Sequence, residues 1–305
     1  MVGVKLFLGM VFNSLINWKE MKRIIILSVF VLLGVTLSIA QQNKQVTKEQ
    51  LELFKKSTTY VVMDNDPLLG FNITVKAAME KYWKVTPFKY ISSDEFESQR
   101  KDKNKSFLLL TRTTLTRDKE NTDYLYINLL MGDNVEKIDD MPELLTLPLH
   151  YTGVEENSYV FKMGVMIRFV QEHAKALMAS DRITQLRDLK YYNKNIKDIR
   201  QKTILIEAAD LAEEVNSIEK IKAIYPYNVR IVSSAEIEKA VFAQTPNTLI
   251  AHQISPGPND KTGRCYKMLY GVDDNKLYYY YFVKISDVRP AGFLAFDFKR
   301  FGVGL

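Results

Sequence analysis

The sequence predicts an α/β fold: two tandem β-α-β-α-β-β units with mixed sheets, each with an extra covering helix. Three observations carry this. A strand-to-helix corner occurs twice, as Lys89-Tyr90-Ile91-Ser92-Ser93-Asp94-Glu95-Phe96-Glu97 and as Arg230-Ile231-Val232-Ser233-Ser234-Ala235-Glu236-Ile237-Glu238. In each, a β-prone run stops at two serines, and the S-x-x-E spacing is that of a capping box: the serine oxygen takes a free helix N–H and the glutamate reaches back. A proline precedes each corner, Pro87 and Pro226, and pushes the residue before it away from helix. The remaining elements recur in the same order at nearly the same offset, which marks an internal repeat.

The first unit spans 58–185. Residues 58–63 are a continuous β-prone run, as in a buried strand. Over 71–84, Phe71, Val75, Ala78, Met79 and Tyr82 fall on one helical stripe. The corner follows, then strands at 106–111, 124–131 and 144–150. Between the units, Val160, Met163, Gly164, Ile167, Val170, Ala174, Leu177 and Met178 predict a long helix over the first sheet, with Gly164 at a close contact. Residues 41–57 read as a lead-in segment and the polar 186–201 as a linker.

The second unit, 202–305, repeats the order. A strand at 203–207 precedes a helix over 211–224, the second corner, and strands at 248–251, 265–270 and 277–285. Asp273-Asp274-Asn275 supplies the hairpin turn. Tyr278-Tyr279-Tyr280-Tyr281-Phe282 places rings on both faces of its strand. One face is expected in the core and the other under a helix, the alternative being a recognition surface. The phenylalanine-rich 291–301 stands where a shorter covering helix is expected.

The N-terminus predicts export. Lys22-Arg23 precedes the uncharged apolar stretch 24–39, and Ser38-Ile39-Ala40 has the small residues of a cleavage site. Residues 21–40 are read as a signal peptide cleaved near Ala40, and 1–20 as an upstream extension from a mis-called start. The rival reading keeps the N-terminus as a membrane anchor. Of 42 basic and 36 acidic residues, four and one fall in residues 1–40, leaving 38 and 35, a net +3. That balance gives no concentrated basic face for nucleic acid. Cys265 is the only cysteine, so no intramolecular disulfide forms. Its place in an apolar run predicts a buried, inert thiol.

Motifs for chemistry are few. His150, His173 and His252 share no ligand spacing, and there is no G-x-S-x-G, P-loop or dinucleotide glycine pattern. The strand 60–63 ends in Asp64-Asn65-Asp66, and Gly132-Asp133 follows a later strand. This resembles the start of a haloacid-dehalogenase-type phosphatase. The resemblance implies Mg²⁺ held by Asp64, Asp66 and Asp133, with one carboxylate free to attack phosphate. Pro67-Leu68 and the absence of a well-placed lysine depart from that family. The neutral reading is a polar strand-to-helix loop and a hairpin turn.

At the level of element order, the runs from Tyr60 through 89–97 to 107–111, and their second copy, resemble the small α/β units of TolB N-terminal and CsgG-like envelope proteins. That implies an exported bacterial α/β-repeat protein and carries no functional residue across. The expected function is a non-enzymatic, periplasmic module that binds an envelope protein or cell-wall component, without cofactor or metal and without a membrane span after signal cleavage. The alternative is an exported metal-dependent hydrolase using Asp64 and Asp66.

Overall fold

The computed structural model describes residues 45–66, 69–115, 122–152, 155–256 and 262–304. The signal segment 21–40, the extension 1–20 and residues 41–44 of the lead-in lie outside the described residues. Residues Asn43–Leu305 form one compact unit.

The chain begins with helix α1 (Lys48–Lys56), capped by Thr47 and Gln50 in a capping box. Strand β1 (Thr58–Val62), helix α2 (Gly70–Tyr82), strand β2 (Phe88–Ile91), helix α3 (Ser93–Gln99) and strands β3 (Lys105–Leu115), β4 (Thr122–Met131) and β5 (Glu143–Tyr151) follow. Helix α4 (Met163–Ala179), the short α5 (Ile183–Leu186) and a 3-10 stretch, Leu189–Gln201, lead to the second half. There β6 (Thr203–Ile206), α6 (Ile218–Lys222), β7 (Val229–Ile231), α7 (Ser234–Ala243), β8 (Thr248–Ile254), β9 (Arg264–Gly271), β10 (Leu277–Lys284) and α8 (Ala295–Val303) repeat the order.

The two five-stranded sheets have the same topology, β2-β1-β3-β4-β5 and β7-β6-β8-β9-β10. In each, the first three strands are parallel and the last two antiparallel. Both corners form the capping boxes that their spacing predicts. Ser92 Oγ accepts from Glu95 N at 3.2 Å while Ser92 N donates to Glu95 Oε2 at 2.8 Å. Ser233 and Glu236 do the same at 3.3 and 3.1 Å.

The registers define equivalent faces. On the α2 face of the first sheet, Val61, Leu108, Ile127 and Leu129 pack under α1, α2 and α4. On its other face, Val62, Ile91, Phe107, Leu109 and Leu130 pack on Phe96 of α3. In the second sheet Ile204, Ile206, Leu249, Ala251 and Leu269 form a core with Phe298 and Phe301 of α8. Its opposite face, the α7 face, brings Leu205, Ile250, Met268, Tyr270 and Tyr280 into the same core as the first sheet and α4.

Helix α4 therefore covers more than the first sheet. It packs on α1, α2 and β5 on one side and on β9 and α7 on the other. Arg168 Nη1 donates to Val272 O at 2.7 Å, and Phe169 meets Tyr270 edge-on. Gly164 sits where an added Cβ would lie 3.1 Å from the Tyr82 ring and 3.4 Å from Val241, so the close contact expected there is met on both sides. Each large apolar side chain so buried contributes roughly 1.5–3 kcal/mol.

Two segments differ from expectation. The helix expected over 211–224 is broken into 3-10 turns at Ala208–Asp210 and Glu213–Val215, followed by α6. The cause is a tertiary bridge: Phe293 N donates to Asp210 O at 2.7 Å and Ala212 N to Phe293 O at 3.0 Å, which holds the backbone extended at Leu211. Ser217 then caps the remnant through Lys220 N. The polar 186–201 stretch is packed rather than solvated. Its 3-10 turns bury Leu189, Tyr192, Ile196 and Ile199 and run along the edge of β10. Among the described residues, no helix is long and apolar enough to cross a membrane.

Candidate functional site

A cleft of about 800 Å³ lies at the β9–β10 end of the second sheet, between the sheet's α8 face, the start of α8 and the 287–290 loop. Strand β9 supplies Lys267 and β10 supplies Tyr281 and Val283, because residues of alternate parity point to one face. Helix α8 supplies Leu294, Ala295, Phe296 and Lys299, and the preceding loop supplies Asp287, Val288, Arg289 and Pro290. Glu213, Glu214 and Lys220 form the far wall.

At the base, Lys267 and Asp297 are fully buried and their charges meet at 2.6 Å. Asp297 also accepts from Leu294 N at 2.8 Å and from the Tyr279 hydroxyl. The carboxylate thus sits in the first turn of α8, where the helix dipole favours a negative charge. Burial, and then the adjacent Asp297 carboxylate, hold the Tyr279 phenol far above its usual range. A buried pair of this kind is costly to desolvate, and its main effect is to fix one arrangement of β9, β10 and α8.

Cys265 lies two residues before Lys267, buried as expected. Burial pushes its thiol up, and its sulfur accepts from Gly292 N at 3.4 Å.

The open part of the cleft is aromatic and carries both signs of charge, Glu213, Glu214 and Asp287 against Lys220, Arg289 and Lys299. The Tyr281 and Phe296 rings lie 6.0 Å apart, and the Arg300 guanidinium sits 5.3 Å from one and 5.6 Å from the other. Val288 is 86% and Phe296 50% exposed, and both are among the few exposed large apolar side chains of the described residues. Glu214 Oε1 accepts from Ala295 N at 2.7 Å, closing the start of α8. No histidine or cysteine lines the cleft, and its one buried amine is neutralised by Asp297. The arrangement suits recognition of a ligand with apolar and charged groups.

The tyrosine run resolves into two roles. Tyr279 is covered by α8, its ring 4.9 Å from Phe301, and Tyr280 is buried against the first half. Tyr281 and Phe282 are half-buried, with Tyr281 in the cleft.

The seam between the halves is tightly closed. Tyr126 and Tyr266 share a hydroxyl hydrogen bond of 2.9 Å, and the Tyr124 hydroxyl donates to Arg264 O and accepts from Arg264 N. Lys162, itself buried, faces Glu207 at 3.1 Å and Asp210 at 3.6 Å. Burial raises the Asp210 carboxyl to about 6, with Lys162 opposing. His173 bonds Tyr192 and Leu144 O, and burial lowers it to about 4. His252 bonds Leu149 O, and burial lowers it well below the usual range.

Asp64, Asp66 and Asp133 are not brought together. Strand β4 is antiparallel to β3, and β3 is parallel to β1. Thr59 pairs with Ser106 and Ser106 with Met131, so Asp133 leaves the sheet where β1 begins. Asp64 lies beyond the other end of β1, five residues on, or roughly 17 Å at about 3.3 Å per residue. The Asp64 and Asp133 carboxylates have local roles. Asp64 Oδ1 accepts from Asp66 N at 3.0 Å in an Asx turn, and the loop is clamped by Asn72, which bonds Asp64 N, Asp64 O and Asp66 O. Asp133 pairs with Lys103 at 3.3 Å. Gly132 is required by a neighbour: a Cβ there would lie 2.0 Å from Asp102 O. Among the described residues, no three His, Cys, Asp or Glu gather as a metal site.

Sequence reasoning did not find the cleft. Its signal was a lone lysine in the apolar run 265–270 and a lone aspartate among the phenylalanines of α8, the pattern of a buried charge seeking its partner. Comparison with known proteins finds no matching family model, no matching curated relative and no matching solved structure.

Proposed function

We propose that this chain is an exported, non-enzymatic binding protein of the cell envelope, and that the cleft of β9, β10 and α8 is where it holds its ligand. The observation that carries the reading is the cleft itself: about 800 Å³, with Val288 and Phe296 exposed beside Tyr281 and the buried Lys267–Asp297 pair. An open apolar surface rimmed by charged side chains marks an interaction site. The export reading rests on the charged, apolar and small-residue order of 21–40. A protein segment fits this cleft through the exposed Val288 and Phe296 side chains, with charged residues at its rim.

A photo-crosslinking residue placed at 296 in intact cells tests the reading. The expected result is a discrete adduct at 296 and none at 242, where Phe242 is 73% exposed on α7. No adduct at 296, or the same adduct at both positions, overturns it. N-terminal sequencing of the released protein is expected to begin near Gln41.

A further inference from the structure

The edge of the second sheet is closed along its first half and open at Phe282. Strand β10 is the edge strand. Asn193 of the 3-10 stretch donates to Tyr280 O at 3.0 Å and accepts from Tyr280 N at 2.8 Å, as a neighbouring strand would. Asn195 takes Leu277 O at 2.7 Å. Beyond that point the pairing of β10 with β9 continues without a bulge through Lys284. Since main-chain groups two residues apart point the same way, Phe282 and Lys284 face outward as Tyr280 does. The Phe282 N–H and C=O have no partner among the described residues. Edge strands are ordinarily blunted or covered, and an uncovered stretch is a template for another strand.

The two sides of this open edge differ in chemistry. On the side of the Phe282 ring, Lys190 lies 5.3 Å and Arg264 5.6 Å from the ring centre. Asp188 also lies near Tyr280 and accepts from Lys190 N at 2.9 Å. On the other side, Tyr281 and Val283 point into the cleft, where Phe296 and Val288 are exposed.

We propose that an extended segment of a partner protein adds to β10 as a further strand at Phe282, with acidic residues toward Lys190 and Arg264 and apolar residues in the cleft. A residue opposite Phe282 directs its side chain to the cationic side, and its two neighbours direct theirs to the cleft. The pattern recognised is strict alternation of acidic and aliphatic or aromatic residues. This deepens the cleft reading and rests on it.

Fluorescence anisotropy of the purified full chain with two labelled octapeptides tests it, one alternating glutamate with valine and one alternating lysine with valine. The glutamate peptide is expected to bind at least tenfold more tightly than the lysine peptide. Phe282→Pro removes the outward N–H without touching the β9 ladder and is expected to weaken binding at least tenfold, while Phe282→Leu keeps it. Amide exchange at Phe282 is expected to slow when the glutamate peptide is present. Equal binding of the two peptides, no binding of either, or no effect of Phe282→Pro in a folded variant overturns strand addition. A persistent crosslink at 296 in any of those cases leaves the cleft as the binding site, whereas its loss removes both.

Discussion

Tyr126 and Tyr266 occupy the same position in their respective sheets and share one hydrogen bond at 2.9 Å. Tyr126 is five residues before Met131, which pairs with Ser106, and Tyr266 is five before Gly271, which pairs with Leu249. Removing one hydroxyl leaves the other buried without a partner. Tyr126→Phe or Tyr266→Phe is therefore expected to cost about 1–3 kcal/mol in urea unfolding, and the double variant less than the sum.

Lys267 and Asp297 set a larger cost. Lys267→Met strands a buried carboxylate and is expected to destabilise by roughly 3–5 kcal/mol. Adding Asp297→Asn is expected to recover much of that loss, as read by thermal and urea midpoints.

The buried histidine and the buried carboxyl of the seam titrate in opposite senses. His173 is lowered from 6.5 to about 4, so its contribution is complete above its ordinary value and lost as pH falls through about 4. The full term is about 3 kcal/mol, and His173→Gln is expected to flatten the acid limb of the stability curve. Asp210, raised from 3.8 to about 6, contributes below its ordinary value and loses that contribution as pH rises through about 6. Asp210→Asn is expected to raise the melting temperature at about pH 8 and to give no gain at about pH 4.

Millimolar Mg²⁺ is expected to leave the melting temperature unchanged, since Asp64 and Asp133 stand at opposite ends of the first sheet. A saturating metal would shift it by mass action. Gly132→Ala is expected to cost about 1–3 kcal/mol, because the Asp102 carbonyl must move.

How much was legible follows from how local each signal is. The Ser92 and Ser233 corners were fully readable, because a capping box is set by residues three apart. The break at Leu211 was not, because it depends on Phe293, far along the chain. The 3-10 stretch lay between these cases. Leu189, Tyr192, Ile196 and Ile199 carry a helical stripe, but the polar residues around them masked it. The Gly132-Asp133 dipeptide misled for a related reason: a glycine needed for backbone approach looks the same in sequence as one needed for chemistry. The cleft was invisible because its parts come from β9, β10, α8 and the 213–220 segment, which only the tertiary fold brings together.

The corresponding faces of the two sheets differ in polarity. Where the second sheet carries Ile254, Met268 and Tyr280 on the face that receives α4, the first sheet carries Thr111, Asn128 and Thr146 at the equivalent positions. Asn128 donates to Thr111 at 2.7 Å and accepts from Thr146 at 2.5 Å, and these residues border an open recess of about 240 Å³. The hydroxyl and amide side chains satisfy one another, so this face of the first sheet stays polar where its counterpart in the second sheet is packed in the core.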